Sequence, residues 1–143
     1  MTIKTHKLWL KISSVAIIAY ALLFFLGSLD ALHRPIEVVL DLSAWPFDGL
    51  QNYDAQTTVF LSAILGGVLF GWAMLIWLLS DIYEKEPETI RKAVLFSLFA
   101  WFVVDSVGCI LSGDSSNAIT NIALLLILVG PLWTKPKEKI KIR

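Results

Sequence analysis

A single carboxylate, Asp105, stands inside the apolar stretch Phe102-Val103-Val104-Asp105-Ser106-Val107. Eight residues later Gly113 sits in a short polar turn, and eight residues beyond that comes Asn121. If the flanking segments are antiparallel helices folded about Gly113, Asp105 faces Asn121, and by the same count Cys109 faces Asn117. Asn117 and Asn121, four apart, share one helix face. Two chemistries fit a carboxylate beside an amide and the Ser106 hydroxyl. The set can be hydrogen-bonded glue that fixes helix register, or it can floor a pocket for a small polar or amphiphilic ligand. Catalysis asks for more, because one carboxylate without a second base, a nucleophile or a metal is a thin set.

The elements that position Asp105 are four apolar runs, residues 8–29, 57–80, 93–112 and 117–133. Each is long enough to cross a hydrocarbon core of ~30 Å as a helix. The spacing therefore predicts an all-α fold, a four-helix transmembrane bundle forming one integral membrane domain over 1–143. Asp105 then lies roughly 12 Å below the turn at Gly113. A charge at such depth costs at least ~2.5 kcal/mol on insertion scales, so it should face the bundle or a wet cavity. Counting to the same depth adds Ser62 from the second run and Tyr20 from the first, with Trp101 one turn deeper than Asp105. His33, Arg34, Asp41 and Trp45 are the candidate rim, with Arg34 or His33 as counter-ion to Asp105.

The basic residues are sorted by side. Eleven of the twelve Lys and Arg fall before or in the first turn of the first run, between the second and third, or after the fourth; only Arg34 falls in the other connections. Under the positive-inside rule both termini are cytoplasmic. The basic tail 134–143 then meets anionic lipid, a simpler partner for it than nucleic acid. The first run is longer than the core of a signal peptide and lacks a small-residue cleavage site, so it is read as a retained anchor.

The outer loop 30–56 carries a short amphipathic segment after Pro35, with Ile36, Val39 and Leu40 on one face and Glu37 and Asp41 on another. It is expected to lie on the outer leaflet or on the bundle mouth, ending at Trp45-Pro46 before a Pro46-Phe47-Asp48-Gly49 turn. In the connection 81–92, Pro87 reads as a helix start and Glu88 with Lys92 as an i,i+4 pair on a solvated face. Gly130-Pro131 stops the last run. In the second run Ala63, Gly67 and Gly71 recur at four-residue spacing with Gly66 alongside. Such a flat face admits a close helix neighbour, either from this chain, from a second copy or from a larger membrane complex.

Several classes are excluded or disfavoured. Cys109 is the only cysteine, so no internal disulfide forms. His6 and His33 fall on opposite sides of the membrane, which leaves no zinc cluster. Neither a GxxxxGK[ST] phosphate loop nor a cysteine pair is present, so no cofactor or metal is expected. Ion or proton conduction would recruit more ionisable groups along the axis than Asp105 alone.

Pro46-Phe47-Asp48-Gly49, Ser62-Ala63 with Gly66-Gly67 and Gly71-Trp72, Trp101 to Ser106, Asn117-Ala118, Asn121 and Pro131-Leu132 occur here in one order and spacing. Over about residues 9–133 the chain resembles a family of short bacterial inner-membrane proteins with four helices, some of which carry an excinuclease-subunit name. The resemblance implies a fold and no mechanism. The layout is also similar to the DoxX-like four-helix membrane architecture, with no functional motif to transfer. Three functions stay open: a ligand- or lipid-binding membrane protein, an accessory subunit docking through Ala63, Gly67 and Gly71, and an enzyme on a lipophilic substrate with Asp105 as acid or base.

Overall fold

The structure is a computed structural model and describes residues 1–29, 32–49, 53 and 55–137. Those residues are helical throughout their regular elements: α1 (Ile3–Leu26), α2 (His33–Ser43), α3 (Gln56–Ile82), α4 (Pro87–Ser112) and α5 (Ser115–Val129), followed by a 3-10 turn, Gly130–Trp133. Four of the segments, α1, α3, α4 and α5 with its 3-10 extension, are long and apolar enough to cross a membrane. The chain is an integral membrane protein by that measure.

Local chemistry sets the helix ends. The Thr2 hydroxyl accepts from the Thr5 N–H at 3.1 Å, so α1 begins a full turn before its apolar run. Pro87 occupies the first turn of α4, where its missing N–H costs nothing. Gly113 closes α4 at φ 92°, a left-handed cap, and the Asp114 N–H returns to the Cys109 carbonyl at 2.9 Å. The fourth run ends its α-helix at Val129 and tightens into the 3-10 turn at Gly130-Pro131.

The helices associate in two antiparallel pairs, α1 along α3 and α4 along α5. Gly66 makes the first pairing close. A Cβ there would stand 2.8 Å from the Ala21 carbonyl oxygen and 2.9 Å from the Phe25 nitrogen, both backbone atoms of α1. Gly67 and Gly71 point elsewhere, and a Cβ on either meets nothing within 4 Å. The glycine that seats the neighbouring helix is thus the one beside the four-residue series. The Ser14 hydroxyl adds a tie by donating to the Ala73 carbonyl at 2.5 Å.

The pairs meet mainly through side chains near the end that carries Lys4, Lys7 and Lys92, called here the basic end. Leu10, Ile17, Ala73, Ile76, Tyr83, Ile90, Val94, Leu98, Leu125, Val129 and Leu132 form one buried core there. The indole N–H of Trp9 donates to the Leu128 carbonyl at 3.1 Å, and its ring lies where a Gly130 side chain would be. At the opposite end, α2 covers α1 through a smaller cluster, Phe24, Ile36 and Tyr53. Here the expectation for Asp41 is corrected. It is buried, and its carboxylate accepts from the Asp48 and Gly49 N–H groups at 3.3 and 3.0 Å. That clasp holds the turn after α2, so Asp41 does not pair with Glu37 on an open face.

Candidate functional site

The register counted about Gly113 is the register of the α4–α5 pair. Asn121 Nδ2 donates to Asp105 Oδ2 at 2.5 Å and lies 3.3 Å from Ser106 Oγ. One turn toward the loop, Asn117 Nδ2 donates to Cys109 Sγ at 3.0 Å. Two helices joined by a turn this short have little freedom to slide, so sequence distance from the turn sets depth. Asn121 and Ser106 are buried, while Asp105 is partly covered.

The other pairs reach this layer with aromatic groups. Trp101, one turn from Asp105 along α4, tilts against Trp72 of α3 with ring centroids 6.3 Å apart. Tyr20 of α1 packs edge-on to Phe24 at 4.9 Å. Ser62 is buried in α3 one turn before Gly66, on the face turned to α1. None of the rim residues is hydrogen-bonded or ion-paired to Asp105 among the described residues. His33 packs edge-on to Tyr53 at 5.0 Å, Arg34 is exposed, and the Trp45 ring is exposed while the Trp45 backbone N–H donates to Ser116 Oγ at 3.0 Å. Among the described residues no salt bridge reaches Asp105; the ion pairs are Lys7–Glu84, Lys11–Asp81 and Arg91–Glu88. Among the described residues, no group of three or more His, Cys, Asp or Glu stands close enough to hold a metal ion.

Beside this layer, an apolar groove of about 270 Å³ runs between α1 and α3, floored by Ala21, Gly66 and Gly67 and walled by Leu22, Phe25 and Phe70. Its lining suits an acyl chain and offers no polar handle.

A second polar cluster lies at the basic end, where sequence spacing gave no sign of it. His6, Tyr83 and Arg91 are buried there. His6 Nδ1 and the Tyr83 hydroxyl are 2.7 Å apart. Arg91 Nε and one terminal nitrogen donate to the Glu88 carboxylate at 3.1 and 3.0 Å, and the other terminal nitrogen donates to the Leu132 carbonyl at 2.9 Å. Glu88 therefore pairs with Arg91 rather than Lys92. Burial pushes the Tyr83 hydroxyl up to about 12, so it remains a neutral partner for the imidazole.

His6 precedes the apolar run of α1, and its pKa lies below the ordinary 6.5 because burial, then the amino terminus and Arg91, disfavour the imidazolium. The sign follows from linkage. As pH falls below 6.5 the unfolded chain binds a proton that the folded one refuses, so this contribution is complete above 6.5 and is lost on acidification through the folded value. Melting in mild detergent should therefore occur at lower temperature at mildly acidic than at neutral pH, and His6→Gln should flatten that dependence. A wild-type melting temperature constant across the interval would refute it.

Comparison of the chain with models of protein families, with curated proteins and with solved structures gave no match.

Proposed function

We propose that this chain is a bacterial inner-membrane protein that holds a small polar or amphiphilic ligand, or a lipid headgroup, in the layer built on Asp105, Ser106 and Asn121. In this reading the four long helices form a transmembrane bundle with both termini cytoplasmic, supported by the sorting of eleven of twelve basic residues to one side. α2 rests in the outer interface, with Val38, Leu42, Trp45 and Phe47 exposed for contact with the leaflet. The observation that carries the ligand reading is a carboxylate deep in an apolar helix pair, held by one amide and without a cationic partner among the described residues.

The test pairs Asp105→Asn with Asp105→Leu. The amide keeps an acceptor and adds donors, so Asp105→Asn should leave melting in detergent nearly unchanged. Asp105→Leu strips Asn121 of its main acceptor, a loss of about 1–3 kcal/mol for a desolvated donor, at the low end because Ser106 Oγ is also in reach. The mass spectrum of molecules that co-purify with the wild-type chain should show one retained species, diminished in both variants. Full retention by both would leave Asp105 a packing residue and end the ligand reading.

A second reading draws on Gly67 and Gly71, where a Cβ would meet nothing within 4 Å among the described residues. An accessory role, with a helix of a second copy or of a larger membrane complex seated along Ala63, Gly67 and Gly71, would use that face. A stoichiometric protein partner in mild detergent would support it.

A further inference from the structure

At the basic end three cations are paired with carboxylates: Lys7 with Glu84, Lys11 with Asp81 and Arg91 with Glu88. Lys92 and Lys135 are exposed, and neither has an ion pair among the described residues. They flank one seam, where α4 meets the 3-10 turn and the chain that follows it. A terminal nitrogen of Arg91 closes the seam by donating to the Leu132 carbonyl at 2.9 Å. Phe99 lies against Trp133 across it, with ring centroids 6.2 Å apart. Lys135 is held at this end from both sides. It comes three residues after Leu132 and two before Lys137, whose N–H donates to the Met1 carbonyl at 2.7 Å. Glu88, one turn before Lys92, is already bonded by two nitrogens of Arg91.

The surface below Lys92 selects the kind of anion. Phe96 and Phe99 follow Lys92 by four and seven residues, which puts all three on one face of α4. Phe96 is 78% exposed and Trp133 is 68% exposed. Cations thus stand at the end of the seam, and aromatic rings continue it for about 10 Å along the helix. A nucleic acid, an acidic peptide or a free phosphate would engage the lysines and leave the rings bare. An anionic phospholipid engages both, with its headgroup at the lysines and its upper methylenes against the rings. Because α4 is long and apolar enough to cross a membrane, its exposed face meets lipid.

We propose that Lys92, Lys135, Phe96, Phe99 and Trp133 form a binding site for an anionic phospholipid at the basic end. The site is separate from Asp105, which lies thirteen residues, or about 20 Å, further along α4. It stands whether or not the Asp105 layer holds a ligand.

The test is native mass spectrometry of the full chain in detergent, titrated with phosphatidylglycerol or with phosphatidylcholine of the same acyl chains. The wild-type chain should prefer phosphatidylglycerol by a factor on the order of twenty, as two cations at a headgroup imply. Lys92→Gln and Lys135→Gln should each cut that preference roughly fivefold, and the double variant should abolish it. Lys85→Gln should leave it unchanged, because Lys85 lies before α4, between Glu84 and Glu86 and outside the seam. Phe96→Ser should weaken both lipids alike, since the ring meets chains rather than charge. The four substituted side chains are exposed, and melting curves confirm that the variants are folded. A preference that survives the double variant overturns the proposal. An equal fall in Lys85→Gln does so too, because net charge alone would then explain the binding. Displacement of phosphatidylglycerol by an equal concentration of glycerol 3-phosphate or of a single-stranded oligonucleotide would make the seam a site for soluble anions and also overturn it.

Discussion

Gly66→Ala should lower the melting temperature of the detergent-solubilised protein, while Gly67→Ala and Gly71→Ala should leave it level or raise it slightly. All three substitutions make the same chemical change in the same helix, so propensity favours alanine by up to about 1 kcal/mol at each. Only at Gly66 does the new methyl meet backbone atoms, 2.8 Å from the Ala21 oxygen and 2.9 Å from the Phe25 nitrogen. A backbone cannot rotate aside as a side chain can, so α1 and α3 must separate, at a cost of about 1–3 kcal/mol for overpacking. The Ser14–Ala73 hydrogen bond would stretch with them. Gly66→Val should be worse in the same direction. Equal destabilisation at Gly67 or Gly71 would mean that a helix from outside this chain covers that face in the purified protein.

Arg91→Leu should be the most damaging single change at the basic end. Arg91 is 8% exposed, and its guanidinium links α4 to the 3-10 turn through the Leu132 carbonyl. Leucine leaves that carbonyl without its donor, a penalty of about 1–3 kcal/mol if water stays out. Glu88 is 41% exposed at its side chain and can return to solvent, which limits the loss. Arg91→Lys should rescue little, because a single ammonium cannot span the Glu88 carboxylate and the Leu132 carbonyl in the fork geometry of a guanidinium. A coupled effect separates this account from simple loss of packing. Without the Arg91 cation His6 accepts a proton more readily, so the variant should lose less stability on acidification than the wild type does. An unchanged pH slope in Arg91→Leu would show that the two groups do not interact.

How much of this was legible beforehand depends on where the partners of each residue lie in the chain. Asp105–Asn121 and Cys109–Asn117 could be paired by counting from Gly113, because a short turn ties two antiparallel helices into register. The four long helices followed from apolar length alone. The basic-end cluster could not be found this way. His6, Leu132 and the connection that holds Tyr83 and Arg91 are three remote segments, and no spacing along the chain links them. Arg91 and Glu88 sit in a polar connection that reads as solvated, and only the approach of the 3-10 turn draws the arginine inward. The choice between Gly66 and Gly67 was equally hidden. α3 is apolar on every side, so its sequence does not reveal which face turns toward α1. Asp41 was misjudged for a related reason: the N–H groups it clasps belong to the turn at Asp48 and Gly49, whose path a helical wheel does not contain.

The uneven distribution of the core has a mechanical corollary. The side chains that join the two helix pairs concentrate near the basic end, whereas Asp105 stands fourteen residues along α4 from Arg91. That is a lever of about 21 Å at the α-helical rise. A rocking of one pair against the other through roughly 5° about the pinned end would shift the carboxylate by about 2 Å over such a lever, while scarcely disturbing Arg91. The molecule has the proportions of a clothes-peg, in which travel grows from the pinned end past the carboxylate toward the turn at Gly113.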